Sequence, residues 1–466
     1  MITVDEQLKT PLYAQIYTQI RQDIIEGRLP AGGRLPSSRM LAKQLQLSRG
    51  TVETAYDQLM SEGYIEGQAG RGCYVCRLEH VVRLREAMWP AVAVDGSRAQ
   101  ITAQPRYDCS PYGIDTDLFP HAIWQRLHRR VATEQGSALY ESGEVQGEES
   151  LRAAIAAYLY QARQVHCTAQ QIIIGAGADY LLLLLGQLLP RGLRIAMEQP
   201  AYPKACRLLE GQGFTVCRVS GDEQGMRTDA LREQAVQVAY TMPSHQFPLG
   251  TVMPLARRLE LIDWAAEARG HYIIEDDYDS EFRYRGKPLP ALQGYDRHQC
   301  VIYIGTFSKS ITPSIRIGYL VLPPTLLEVY QRQSGGLANT VSKQEQLTAA
   351  LFLSEGYFER HINRMRLVYK QRYEVLCDSL AAYPGLQLER SDSGLHVNVR
   401  LPHMGTTEAV QRAARYGVRV YPVETEAIED TPGAGKRPAH LMIGFSALSC
   451  EELTEAVSLL AEAWQL

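Results

Sequence analysis

Lysine is the scarce base in this chain. Of 48 basic residues only eight are lysine, so arginine does the ordinary work of solubility and ion pairing. Lys309 therefore carries weight. It belongs to Gly305–Thr306–Phe307–Ser308–Lys309–Ser310, just past the apolar run Val301–Ile304. Such a run reads as a buried strand, and sites in open α/β sheets lie beyond the carboxyl ends of strands. An amine partly withdrawn from water there has a lowered pKa and can form a Schiff base with a carbonyl. The plainer reading is a lysine that pairs with a phosphate or carboxylate.

Two other strand ends carry matching chemistry. Tyr272–Glu275 runs into Asp276–Asp277–Tyr278. An acid placed there can hold a protonated pyridine nitrogen, as in pyridoxal 5′-phosphate (PLP), and a tyrosine two residues on can reach the ring hydroxyl. The alternatives are surface carboxylates or a metal site, and no His or Cys is spaced to complete a metal site. Ile172–Ile174 ends in Gly175–Ala176–Gly177–Ala178–Asp179 and opens a leucine-rich helix. Small residues at such a turn let backbone N–H groups approach a phosphate. Thr306 and Arg316 can complete a phosphate cup, and Tyr202 can stack on a ring.

The elements that must position these residues follow from periodicity. From Arg106 onward strands alternate with helices such as Leu151–Tyr160 and Leu255–Ala268. This predicts an α/β fold with a mostly parallel sheet and a smaller C-terminal lobe. Val236–Tyr240 and Arg194–Met197 are further strand candidates. Residues 77–105, with fading periodicity, read as a linker carrying a short helix near Val82–Met88. Residues 1–76 differ in kind. Leu12, Ile16, Ile20 and Ile24 recur every four residues after Pro11, a proline suited to the first helical position. Ser37 or Ser38 can cap a second helix and Ser48 a third, with Val52, Ala55, Tyr56 and Leu59 on one face. Two short strands, Tyr64–Ile65 and Cys73–Val75, flank Gly67, Gly70, Arg71 and Gly72. Three helices and a small hairpin make a winged helix-turn-helix.

That layout places cations where DNA would meet them. Arg34, Ser38, Arg39, Arg49, Gly50, Thr51 and Arg71 form the expected DNA-facing set, with Arg49 and Thr51 opening the recognition helix. Glu53, Asp57 and Glu62 oppose phosphates, so they are expected on the far side or C-terminal end of that helix. The competing reading is a protein-interaction module with ordinary surface arginines.

Composition narrows the classes. The chain has 466 residues, 45% hydrophobic and 21% charged, with net charge −4. That excludes collagen, extended disorder and a small disulfide scaffold, and any DNA contact must come from a local patch. Nine cysteines, with Asp5 and Glu6 where a signal peptide would turn apolar, point to reduced thiols and a cytoplasmic location. Cys73 and Cys76 form an isolated C-x-x-C, taken as incidental. No run is long and apolar enough for a membrane span, and no metal site is expected.

The segment from Pro36–Ser37–Ser38–Arg39 through Leu47–Ser48–Arg49–Gly50–Thr51–Val52 to Gly63–Tyr64–Ile65 resembles the GntR family. The resemblance implies Arg39 and Arg49 as main DNA contacts. The segment from about Arg106 to the end resembles fold-type-I aminotransferases. By that resemblance Lys309 forms the Schiff base with PLP, Asp276 pairs with the pyridine nitrogen and Tyr278 contacts the ring oxygen. Gly177, Ala178, Thr306 and Arg316 hold the phosphate, and Ser308 and Tyr202 complete the cofactor set. Gln246 takes the place of an asparagine near the ring hydroxyl. Tyr140 is similar to the tyrosine that reaches the phosphate of the neighbouring subunit, which implies a homodimer. A GntR-like head on an aminotransferase-like body resembles the MocR group of bacterial transcription regulators. Thr241–Pro248 and Glu275–Tyr284 look typical of it.

Two departures separate a sensor from a working enzyme. Met442 stands about where aminotransferases carry an arginine for the substrate carboxylate, with Arg437 as a substitute from a nearby loop. Lys204 stands where the relative sensing γ-aminobutyrate has a ligand-gripping arginine. Losing a bidentate clamp weakens amino-acid binding. The resemblance therefore implies a PLP-dependent regulator of double-stranded operator DNA. Its effector would be PLP or an amine or amino acid condensed at Lys309. Group effectors include γ-aminobutyrate, taurine, D-alanyl-D-alanine and PLP. The lost grips lean towards PLP, hence control of vitamin B6 synthesis. The alternatives are an active aminotransferase with an accessory head, and a repressor whose body only dimerises.

Overall fold

The computed structural model describes residues 2–5, 10–68, 71–77, 105–286, 289–333, 338–423 and 438–466. The expected linker, apart from its ends Arg77 and Pro105, lies outside them, as do Gly70 and Arg437. The chain divides into two compact units, Met1–Thr102 and Ala103–Leu466.

The first unit is built on α1 (Leu12–Ile25), α2 (Ser38–Leu45) and α3 (Arg49–Ser61). Ile16, Ile20 and Ile24 of α1 pack on Leu41 of α2 and on Val52, Ala55, Tyr56 and Leu59 of α3. The four-residue spacing puts each set on one helix face. Pro11 is the N-cap of α1, one position earlier than expected. Ser37, not Ser38, caps α2 by accepting the Met40 N–H, and Ser48 caps α3 by accepting that of Thr51. A hairpin of β1 (Ile65–Gln68) and β2 (Gly72–Val75) closes the core with Ile65 and Val75.

The second unit is α/β. Its main sheet takes, in chain order, β3 (Ile172–Gly175), β4 (Arg194–Gln199), β5 (Thr215–Asp222), β6 (Gly225–Met226), β7 (Val238–Thr241), β8 (Tyr272–Asp277), β9 (Val301–Thr306) and β10 (Gly318–Val321). The spatial order is β3-β10-β9-β8-β7-β4-β5-β6. Pairs β9–β8, β8–β7, β7–β4 and β4–β5 are parallel. β10 is antiparallel to both its neighbours. Residues of β3, β7, β9 and β10 are all buried, because helices such as α4 (Glu149–Arg163), α5 (Ala178–Leu188) and α6 (Leu255–Ala266) cover the sheet. Strands covered on both faces read as unbroken apolar runs.

Register brings the strand ends together. Gly175 lies opposite Gly318, and Gly318 opposite Thr306; Gly305 lies opposite Asp277. A long helix, α7 (Tyr357–Ala381), precedes a second sheet. That antiparallel sheet runs β11 (Gln387–Glu389), β12 (His396–Leu401), β14 (Ala439–Gly444) and β13 (Tyr421–Pro422) in spatial order. It is the expected smaller C-terminal lobe, and its inner face buries Val397, Val399, Leu441 and Ile443.

Candidate functional site

The turns beyond β3, β8 and β9 enclose a cavity of about 220 Å³. Lys309, Asp276, Tyr278, Arg316, Thr306 and Ser308 line it, with Ala178 and Tyr202. A larger hollow of about 730 Å³ lies elsewhere, lined by residues of α4 and the start of α7. Volume does not choose between them; the convergence of an amine, an acid and a guanidinium on the smaller one does.

Lys309 is half-buried, three residues past the end of β9. Its Nζ donates to the Pro111 carbonyl at 3.3 Å and lies 5.6 Å from the centre of the Tyr112 ring. Burial lowers its pKa to about 8, with the negative charge of Asp279 working against the shift. The amine is thus poised to shed its proton near neutral pH.

Side chains alternate along β8, and the site depends on it. Asp276 reaches the cavity, while Glu275 and Asp277 serve other partners. Tyr240 donates its hydroxyl to Asp276. Burial raises the Asp276 carboxyl to about 7, and the tyrosine hydrogen bond pulls the other way. Asp277 is held by Arg163 Nε at 2.8 Å and by the Tyr303 hydroxyl. Glu275 accepts the N–H groups of Leu292 and Gln293 at 2.7 and 2.8 Å.

The opposite wall is the start of α5. Gly177 caps that helix at φ +84°, and a Cβ there would lie 2.7 Å from Arg316 Nη2. Only glycine lets the guanidinium lie this close. Arg316 donates to the Ala176 carbonyl at 2.9 Å and stands 3.8 Å from Asp179. Thr306 Oγ1 donates to Ser308 Oγ at 2.9 Å and accepts the Ser308 N–H at 3.1 Å. The N–H groups at the start of α5, two hydroxyls and an arginine together can act as an anion cup.

Three expected cofactor residues, Gly177, Gln246 and Tyr140, lie outside this lining. Gln246 Nε2 donates to the Pro200 carbonyl and its Oε1 accepts the Leu249 N–H, so the amide braces its own loop. Tyr140 is 87% exposed. Sequence reasoning missed Pro111 and Tyr112, which come from a loop far from Lys309 in the chain. It also missed Tyr240, which reaches Asp276 only through strand pairing. An adjoining cleft of about 440 Å³ shares Tyr112, Tyr202, Lys204 and Phe247, and continues to Arg207, Tyr421 and Met442. Lys204 is tied to Asp179 at 2.5 Å, and Met442 is buried. Among the described residues no group of three or more His, Cys, Asp or Glu is placed to hold a metal, and no helix is long and apolar enough to cross a membrane. All nine cysteines are free.

In the first unit, Arg34, Arg39, Arg49, Gly50 and Arg71 are exposed, and Ser38 and Thr51 are half-buried. Glu53 departs from expectation. It sits beside the cations, not away from them, accepting from Arg49 Nε at 2.7 Å and from Ser38 Oγ at 3.3 Å. One turn of helix separates it from Arg49, so the two share a face. Glu62 is at the C-terminal end of α3, as anticipated, and accepts the Tyr17 hydroxyl at 2.6 Å.

Comparison with known proteins matches both units. Residues 12–75 fit the model of the bacterial regulatory proteins of the gntR family. Residues 112–460 fit that of the class I and II aminotransferases. The probable rhizopine catabolism regulatory protein MocR of Rhizobium meliloti is 34% identical over 100% of this chain and 96% of its own length. This chain belongs to the MocR-type transcription regulators.

Other relatives span both units as well. The uncharacterized HTH-type transcriptional regulator YhdI of Bacillus subtilis is 38% identical over 99% of this chain and 97% of its own. The pyridoxine biosynthesis regulator PdxR of Corynebacterium glutamicum is 34% identical over 85% of this chain and 84% of its own. Among solved structures, a multiple substrate aminotransferase from Thermococcus profundus superposes with a TM-score of 0.69 at 26% identity, covering 78% of this chain and 92% of the other. This MocR-type chain is thus a transcription regulator with a GntR head and an aminotransferase-fold body.

Proposed function

We propose that the body binds PLP in the cavity at Lys309 and that the head contacts operator DNA, with cavity occupancy setting the strength of that contact. The single observation that carries the reading is the half-buried Lys309 amine, its pKa lowered to about 8, lining one cavity with Asp276 and Arg316. The residues fit the cofactor. Gly177 leaves room for Arg316 where a Cβ would fill the cup.

When bound, PLP supplies an aldehyde carbon for condensation with an amine and a ring that withdraws electrons. This chain's residues supply the rest. Lys309 offers the amine. Asp276 is the acid for the pyridine nitrogen, and a positive partner there draws its carboxyl back to the ionised form. Tyr278 offers a hydroxyl to the ring oxygen. Ala178, Thr306, Ser308 and Arg316 bind the phosphate. Tyr202 and Tyr112 wall the cavity and keep water from the amine.

In the head, α3 is the recognition helix, with Arg39, Arg49 and Thr51 towards base edges and Arg34 and Arg71 towards phosphates. The effector is PLP itself or a small amine that competes for it. The buried Met442 and the paired Lys204 favour a ligand without a free carboxylate to clamp. Tyr140 completes the phosphate cup of a second copy, which makes the regulator a homodimer. Its exposure supports that role.

The test titrates the full-length protein with PLP and candidate amines, reading visible absorbance and affinity for DNA selected from a random library. Wild type should turn yellow, retain the cofactor after borohydride reduction, and change DNA affinity with occupancy. Lys309→Ala should do none of these. A Lys309→Ala protein that still responds to PLP at the DNA would sink the proposal.

A further inference from the structure

Behind the cavity wall lies a buried histidine that the reading above does not use. His245 is 1% exposed, in the loop after β7. Its Nδ1 is 2.9 Å from Asp279 Oδ2 and also 2.9 Å from the Tyr278 hydroxyl. Its Nε2 is buried without a hydrogen-bond partner among the described residues. The ring is wedged between two glycines. A Cβ at Gly394 would come within 1.9 Å of His245 Cε1, and one at Gly250 within 3.3 Å of Nε2. Gly394 has φ +87°, its N–H bonds the Phe282 carbonyl and its carbonyl accepts the Tyr284 hydroxyl, so the wedge is rigid.

One nitrogen cannot serve both neighbours in the same way. An ionised carboxylate only accepts, so Asp279 requires a proton on Nδ1. A protonated Nδ1 has no lone pair left for the Tyr278 hydroxyl. That hydroxyl then has two outlets, the Asp279 carboxylate, which is also its hydrogen-bond partner, and the cavity that Tyr278 lines; an Nδ1–H on Asp279 competes for the first and favours the second. With the proton on Nε2 instead, Nδ1 would capture the phenol hydrogen and face Asp279 lone pair to lone pair.

We propose that His245 and Asp279 are positioning residues for Tyr278: the carboxylate fixes the proton on Nδ1, and the phenol is left to donate into the cavity. This rests on the reading of that cavity as the PLP site. The other charged or titratable groups near the pair are Lys309, Asp276, His396 and Tyr284, and the Tyr284 hydroxyl is already committed to the Gly394 carbonyl. His396 lies 5.4 Å away, ring centre to ring centre. Burial, His245 and Lys309 lower its pKa to about 3, so it is neutral and donates Nε2–H to the Pro248 carbonyl at 3.1 Å. It therefore does not compete for Asp279.

The test is the pH midpoint of the visible absorbance of the PLP-loaded full chain. A donor at the ring oxygen stabilises its negative charge and lowers that midpoint. Tyr278→Phe should raise it by about 1 pH unit. His245→Phe should raise it by about as much, and the double variant no further, because both changes remove one interaction. His245→Asn, whose amide can still donate to Asp279, should keep the wild-type midpoint. If His245→Phe does not fold, Asp279→Asn carries the same test and should also raise the midpoint. Additive shifts, or an unmoved midpoint in both His245→Phe and Asp279→Asn, overturn the proposal. Ring-nitrogen NMR of the unloaded protein needs no cofactor and reads the tautomer: Nδ1–H is expected, and Nε2–H alone overturns it. Failure of wild type to take up PLP would instead refute the cavity reading.

Discussion

Lys309 answers two opposed demands. Withdrawal from water lets its amine become a free base from about pH 8 upward, well below an ordinary lysine, because a charged amine in the same place is costly. The sign of the consequence is definite. Below about 8 the amine holds a proton and cannot attack a carbonyl. The rate of PLP capture should therefore climb about tenfold per pH unit up to about 8 and then level off. Stopped-flow absorbance across pH 6 to 10 checks it. A rate still climbing at pH 10, as for an ordinary lysine, would refute the assignment. At this scale the sequence was informative about Lys309, Asp276, Tyr278 and Arg316, because each sits within a few residues of a strand end. It was silent on Tyr240 and Tyr112, which arrive through pairing and packing and leave no mark on local spacing.

Helix α3 shows why an element can be legible while its surface is not. Its apolar face, its Ser48 cap and its cations all followed from periodicity and capping chemistry. The place of Glu53 did not, because net charge opposite DNA argued it away from Arg49, whereas the four-residue spacing puts the two side by side. Their ion pair at 2.7 Å holds the Arg49 guanidinium on its own helix. Glu53→Gln removes a negative charge and frees that arginine. Affinity for operator DNA should rise severalfold, and the slope of log affinity against log salt should steepen by about one. Fluorescence anisotropy at several salt concentrations measures both. Unchanged affinity and slope would mean that Arg49 does not face the DNA. In the body, the runs buried on both faces were readable as strands. β10 was not, since nothing local says that Gly318–Val321 enters antiparallel between β3 and β9.

At the scale of the whole molecule, the role proposed for Tyr140 bears on whether one copy of the chain makes a complete site. Mixing Tyr140→Ala with Lys309→Ala protein tests it. If each cup borrows its tyrosine, mixed dimers contain one site with both residues intact, and tight PLP binding returns in about a quarter of all sites at statistical exchange, estimated from random pairing of copies. If Tyr140 acts within its own chain, mixing restores nothing. Equilibrium dialysis of the mixture separates the two outcomes. Strand β8 sets a further limit on how this body can change over generations. Its consecutive carboxylates work on opposite sides, one towards the ligand and two towards the structural rear, so deleting or inserting a single amino acid upstream in the strand would exchange their assignments. A deletion would turn Asp277 towards the cavity and set Tyr278 against Arg163, and an insertion would turn Glu275 towards the cavity and set Asp276 against Arg163. Length variation among descendants should therefore be confined to the turns on either side of this strand.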